Sequence, residues 1–321
     1  MTRMINITLL LLSLLLSGCG DTQQESVLKV GISPWPGYEP LVLASNKGLY
    51  QGDTHIRIIR FSTPSESFRA LRDGLIDVAA FTADEVFHYA EVRSAPKIFM
   101  ILDVSNGADA IVAKKNIQTI DQLKGNVLAA EGSALGHYLI SRSLDFSKNT
   151  KLSDIKLTTI PINNQVQAFK AGIIDAAVTY EPSKSLLVAA GAHVLFDSSK
   201  IPNEVVDVLV TNNETLQNRS KDLKVLMDGW FKTLDYINKN YDVAMRELAE
   251  EEGTDVKNFT KAFSEIKIAD RADNMSMLKK NGSLVTSMKR LSQLMYEKGS
   301  LKENINVEPI LDDKILDMME D

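Results

Sequence analysis

Four short segments carry the side chains that could do chemistry. Pro34 to Tyr38 (PWPGY) offers the rings of Trp35 and Tyr38, and Phe81 to Glu85 (FTADE) offers Thr82, Asp84 and Glu85. Glu131 to His137 (EGSALGH) offers Ser133 and His137, and Thr179 to Ser183 (TYEPS) offers Tyr180 and Glu181. Flat aromatic faces stack a ring or enclose a cation, and carboxylates accept N–H bonds or balance positive charge. Ser133 stands where a helix begins, so its hydroxyl and the free N–H groups behind it favour a polar oxygen or an anion. Each residue also has a structural reading. Trp35 can pack at an edge, Ser133 can simply cap, and Asp84 and Glu85 can serve the helix dipole. His137, a full turn into its helix, can be a surface or packing residue.

Catalysis asks for more than these segments hold. The chain has one cysteine, Cys19, and its four histidines (His55, His88, His137, His193) lack the paired spacing of a zinc hydrolase helix. No G-x-S-x-G, P-loop or dinucleotide fingerprint is present. The residues therefore suit binding without turnover and imply no metal or cofactor, while an enzyme built on carboxylates stays open as the lesser alternative. The composition agrees with a folded, non-basic protein: 321 residues, 44% hydrophobic, 24% charged, with a formal charge of −6. That length suggests two lobes, and the charge offers no basic field for nucleic acid or an anionic membrane surface.

The N-terminus reads as a leader. Arg3 precedes an apolar run at residues 5–16 (INITLLLLSLLL), too short to span a bilayer, and LSGC follows at Leu16 to Cys19. This stretch resembles the bacterial lipobox, which implies that residues 1–18 are a signal peptide and that Cys19 is lipidated and becomes the new N-terminus. Residues 19–26 would then be a polar tether. The expected location is extracytoplasmic, lipid-anchored to the cell membrane, on the periplasmic face in a Gram-negative cell.

The elements that must hold the four segments come next. Alternating β-branched runs predict strands at 27–33, 55–61, 77–81, 97–103 and 204–211, with helical periodicity at 38–50 and helices opening at the Ser or Pro of each gap. Strands alternating with helices imply an α/β fold with a mostly parallel sheet. Residues 70–83 (ALRDGLIDVAAFTA) and 168–181 (AFKAGIIDAAVTYE) repeat Ala, Gly, Ile, Asp and Ala at a constant offset, which predicts two lobes of like construction. Beyond residue 211 the chain is helical. Leu223, Leu226, Met227, Trp230, Leu234 and Ile237 form one apolar stripe, and Leu284, Met288, Leu291 and Met295 form another.

The runs VGISPWPGYEPLVLASNKGLY, ALRDGLIDVAAFTADE, SNGADAIVAKK, IDQLKGNVLAAEGSALGHYL and AFKAGIIDAAVTYEPS follow in order over residues 27–200. Together they resemble the nitrate, sulfonate, taurine and thiamine-pyrimidine-precursor branch of ABC-importer solute-binding proteins. The resemblance implies a two-lobed, type II-like periplasmic-binding fold with the helical C-terminal region packed on lobe one. Lobe one would comprise 27–105 and 205–321 and lobe two 106–204, joined by crossovers near Asp103 to Ala110 and Asn203 to Val210. It also implies a small-molecule ligand between the lobes and a partner that is an ABC permease or a membrane sensor. Asp109, in the first crossover, is then a hinge, cleft or structural residue. None of the four segments contains Lys or Arg, so an amine or heterocycle suits them better than a simple anion. Lys114, Lys184 and Arg69 are the cations that closure could bring in.

Overall fold

The computed structural model describes residues 27–52, 54–92, 96–279 and 281–319. The leader, Cys19 and the tether lie outside these residues. Along the described chain the strands are β1 (Val27–Ile32), β2 (His55–Arg60), β3 (Val78–Thr82), β4 (Pro96–Ser105), β5 (Asp109–Ala113) and β6 (Val127–Ala130). They continue as β7 (Lys156–Thr159), β8 (Ala176–Tyr180), β9 (His193–Asp197), β10 (Val206–Asn212) and β11 (Ile266–Ile268).

Two sheets form, in the orders β11-β4-β10-β3-β1-β2 and β7-β6-β8-β5-β9. In the first, β1 pairs in parallel with β2 and β3, and in the second β6 pairs in parallel with β7 and β8. A strand that has just crossed from the other sheet, β10 or β5, inserts antiparallel beside β3 or β8. The sheets are therefore mixed rather than mostly parallel. The reason is directional: β5 and β10 enter their sheets by short crossings at residues 106–108 and 198–205, with no α-helix to return them to the starting end.

The repeat maps onto matching elements. The helix Pro64–Arg72 corresponds to Ile162–Lys170 and β3 to β8, and both helices end at a glycine in the left-handed region, Gly74 at φ +72° and Gly172 at φ +73°. A side chain there would be strained, which is why glycine recurs at both turns. Thr63 caps the first of these helices by accepting from Glu66 N, and Pro64 occupies the first turn. The helix after β1 spans Glu39–Asn46, shorter than its periodicity predicts, since the chain turns at Lys47 and left-handed Gly48. The helix after β3 begins at Ala83, straight out of the strand, without a Ser or Pro to open it.

The C-terminal helices cover the first sheet. Leu223, Leu226, Met227 and Trp230 of Ser220–Lys239 are fully buried and pack with Leu28, Val30, Phe99 and Leu209. Leu284, Met288, Leu291 and Met295 of Ser283–Glu297 pack with Val86, Phe87 and Ile98. This second cluster runs on through Val104 and Val206 to Ile111 and Leu128, so one apolar core underlies both sheets. Among the described residues no helix is long and apolar enough to cross a membrane.

Candidate functional site

The loop after β1, the start of the helix after β3, the crossings and the loops after β6 and β8 converge between the sheets. Trp35, Tyr38, Glu85, Asp109, Tyr180 and Asp207 line a small cavity of about 30 Å³ there, joined by Thr82 and Ser133. A larger cleft of about 1010 Å³ lies outside it, with Arg69, His88 and Lys298 on one wall and His137 and Lys151 on the other. Glu85 and Ser133 line both spaces and so form the neck between them.

The floor of the inner cavity is acidic. Asp103 and Asp207 stand directly opposite each other on β4 and β10. Trp35 Nε1 donates to Asp103 Oδ2 at 3.1 Å, and the Tyr38 hydroxyl donates to Asp207 Oδ1 at 2.6 Å. Gly37 permits this arrangement, because a side chain there would strike both the Asp103 carboxylate and the Trp35 indole nitrogen. Asp109 opens β5 opposite Tyr180 of β8, is 1% exposed, and has no hydrogen-bond partner for either carboxyl oxygen among the described residues. The neighbouring Ser105 hydroxyl bonds Ser198 Oγ and accepts from the Asp109 N–H.

Burial dominates the electrostatics. Loss of water pushes Asp103 and Asp109 up to about 7 and Glu85 up to about 8, the last aided by repulsion from Asp84. Asp207 rises well above the ordinary carboxylate range through burial and the charge of Asp103. Burial thus favours the protonated, uncharged form of these acids.

The remaining sequence candidates are placed as follows. Asp84 is buried beside the site with Oδ2 unpartnered, and burial raises its pKa, but it does not line the inner cavity. Ser133 caps its helix by accepting from Gly136 N at 3.3 Å. His137 faces the outer cleft, its Nδ1 3.0 Å from the carbonyl of Ser133 one turn back. Glu181 departs from its expected place facing the cleft: it is fully buried, accepts from the N–H and hydroxyl of Ser185, and lies 3.6 Å from Lys184 Nζ. It thereby satisfies the N–H of Ser185 in the first turn of the helix that starts at Ser183, whose N-cap is Pro182. Lys184 donates to the Gly107 carbonyl at 2.9 Å and pairs with Glu265, bracing the crossing rather than entering the cavity. Lys114 is held by Asp175 at 2.7 Å, and Arg69 stays on the outer cleft. Sequence reading missed Asp103 and Asp207. Their signal was a lone carboxylate inside an apolar strand, ILDVS and VVDVLV, where an acid is rarely buried without a task.

The scaffold is shared with solved structures. The alkanesulfonate-binding protein SsuA from Xanthomonas axonopodis pv. citri, bound to MOPS, matches with a TM-score of 0.76 at 17% identity, covering 88% of this chain and 97% of that one. The ligand-binding component of an ABC-type import system from Staphylococcus aureus, with zinc bound, matches at 0.76 and 13% identity, covering 91% and 98%. The nitrate-binding protein NrtA from Synechocystis PCC 6803 matches at 0.71 and 14%, covering 92% and 86%. These are substrate-binding proteins, not enzymes, and the fold in common is the generic periplasmic-binding one. No curated protein matches the sequence significantly. The model of the NMT1-like family matches residues 21–250, well over half of the sequence, and the chain belongs to that family.

Proposed function

We propose that the protein is the extracytoplasmic solute-binding component of an ABC importer, and that it takes an amine- or heterocycle-bearing solute in preference to a simple anion. One observation carries the ligand reading. The inner cavity is lined by Glu85, Asp109 and Asp207 with three aromatic rings, and no Lys or Arg is among its lining residues. A nitrate or sulfonate would find no cation there, whereas an organic cation can replace the acids' protons and meet aromatic faces. The sulfonate- and nitrate-binding neighbours, at 17% and 14% identity, share the scaffold and need not share its lining.

In this reading residues 27–105 and 205–321 make one lobe, residues 106–204 the other, and the solute draws them together about the crossings. Solution scattering should then show compaction on binding. Cys19 would carry the lipid that holds the domain at the membrane. Cys19→Ala should leave an unprocessed precursor or a released domain, and membrane retention that survives high salt after removal of residues 1–19 would count against the anchor.

The ligand class is tested by a thermal-shift screen of nitrate, ethanesulfonate, alkylamines and aminopyrimidines against the full chain in mild detergent, followed by calorimetry. Amines or aminopyrimidines should raise the midpoint, and Trp35→Ala should abolish the shift. Tight nitrate or sulfonate binding indifferent to Trp35→Ala would overturn the ligand class and leave the binding-protein reading intact.

A further inference from the structure

The shape of the inner cavity separates the two ligand chemistries just named. Trp35 and Tyr38 have ring centroids 6.5 Å apart at 60°, and Trp35 and Tyr180 are 6.2 Å apart at 73°. Rings so close and so tilted already pack on one another. Neither pair presents parallel faces roughly 7 Å apart, the spacing that two stacking contacts around a flat heterocycle require. The space beside them, about 30 Å³, is the size of a single small polar group.

The acceptors in that space are the second constraint. Both oxygens of the buried Asp109 lack partners among the described residues, and Asp109 lines the cavity. A buried acid whose oxygens lack partners is costly, and once ionised it needs N–H or O–H donors, which a bound solute can supply. A quaternary ammonium brings charge but no N–H, whereas a primary ammonium brings three.

We propose that the bound solute presents a primary ammonium group to Asp109, inside a box walled by Trp35, Tyr38 and Tyr180, with the rest of the solute lying outward past Glu85 and Ser133. This rests on the solute-binding reading above and narrows it from amine or heterocycle to amine. Glu85 and Ser133 line both this space and the outer cleft of about 1010 Å³, where the bulk of the molecule has room. Asp103 and Asp207, held by Trp35 and Tyr38, set the position of those rings.

The experiment is calorimetric titration of the full chain with butylamine, putrescine, butyltrimethylammonium, 4-aminopyrimidine, nitrate and ethanesulfonate. Butylamine or putrescine should bind, butyltrimethylammonium should bind at least about tenfold more weakly, and Asp109→Asn should weaken the primary amine by about ten- to a hundredfold. Titration in buffers of different ionisation enthalpy should show protons released as the amine enters. If Asp109→Asn does not fold, the ranking of primary over trimethylated amine in the unaltered protein decides by itself. Equal or tighter binding of the trimethyl compound or of 4-aminopyrimidine, or no amine binding at millimolar concentration, overturns the head-group assignment while solute binding stands. Binding of the anions alone overturns the head-group assignment and the amine-or-heterocycle class together, and leaves the solute-binding reading intact.

Discussion

Asp77 and Asp175 hold the same position in the two halves of the molecule. Asp77 precedes β3 and grips β1, while Asp175 precedes β8 and grips β6: the N–H of Asp77 donates to the Lys29 carbonyl and that of Asp175 to the Val127 carbonyl, both at 2.9 Å. Each carboxylate accepts in return from the N–H of that same residue, at 2.8 Å and 3.0 Å. The equivalence extends to a cation on each, Arg219 at 3.3 Å and Lys114 at 2.7 Å.

Asp77→Ala and Asp175→Ala should therefore each lower unfolding stability by roughly 1–2 kcal/mol, adding in the double variant because the two turns belong to separate sheets. Denaturant midpoints check this, with amine affinity as the control. Burial alone would raise the pKa of Asp175, but Lys114 and the Val127 N–H outweigh it and the net shift is downward. Its contribution should be complete above the ordinary value of 3.8 and disappear as the pH falls through the lowered folded value.

The acids of the cavity should act in the opposite sense. Asp103 and Asp109 titrate near 7 in the folded protein against an ordinary 3.8, so folding favours their protonated forms. Their contribution is full below about 3.8 and declines as the pH rises through 7. The empty protein should melt at a higher temperature at pH 5 than at pH 8, and Asp109→Asn should flatten that dependence. Amine affinity should rise over the same interval as Asp109 ionises. An empty protein whose melting temperature is highest at pH 8 would contradict this account.

Gly37→Ala tests how the aromatic walls are set. The added methyl would collide with the Asp103 carboxylate and the Trp35 indole nitrogen, both of which are buried and have little freedom to retreat. The expected cost is about 1–3 kcal/mol of stability together with weaker ligand binding. Gly74→Ala, at a left-handed turn with open space around it, should lower stability and spare binding.

The two tryptophans give a spectroscopic check. Trp35 lines the cavity and Trp230 is sealed at 0% exposure in the helix over the first sheet. Ligand should alter the emission of the unaltered protein and of Trp230→Phe, but not that of Trp35→Phe. Trp230→Ala should cost about 3–5 kcal/mol, as expected for emptying a packed aromatic site.

Much of the scaffold was legible in the sequence because its signals are local. The glycine turns at 74 and 172, the β-branched strands and the stripe through Trp230 each follow from spacing within a few residues. The insertion of β5 and β10 was not, since strand direction depends on where a crossing enters the sheet. The candidate site divides in the same way. Trp35, Tyr38 and Tyr180 stand out as aromatics in loops, whereas Asp103 and Asp207 become a pair only when strands about a hundred residues apart align. Glu181 illustrates the converse: its loop suggested the cleft, but the nearest donors are Ser185 N and Oγ in its own helix start, and a cap four residues away forms before any distant ligand can compete.

The place of β10 between β3 and β4 bears on how the chain reaches its folded state. Residues 109–197 contain all five strands of the second sheet, which can close as soon as they emerge in order from a ribosome or a secretion pore. The first sheet cannot. Its opening strands are synthesised early, but two facing edges stay unpaired until residues 206–212 arrive to fill the gap. Exposed edges of that kind recruit other chains, and contacts so distant along the sequence form slowly. A chain interrupted just before residue 206 should hold a finished second sheet beside a sticky, incomplete first one, the form that a chaperone would most need to hold.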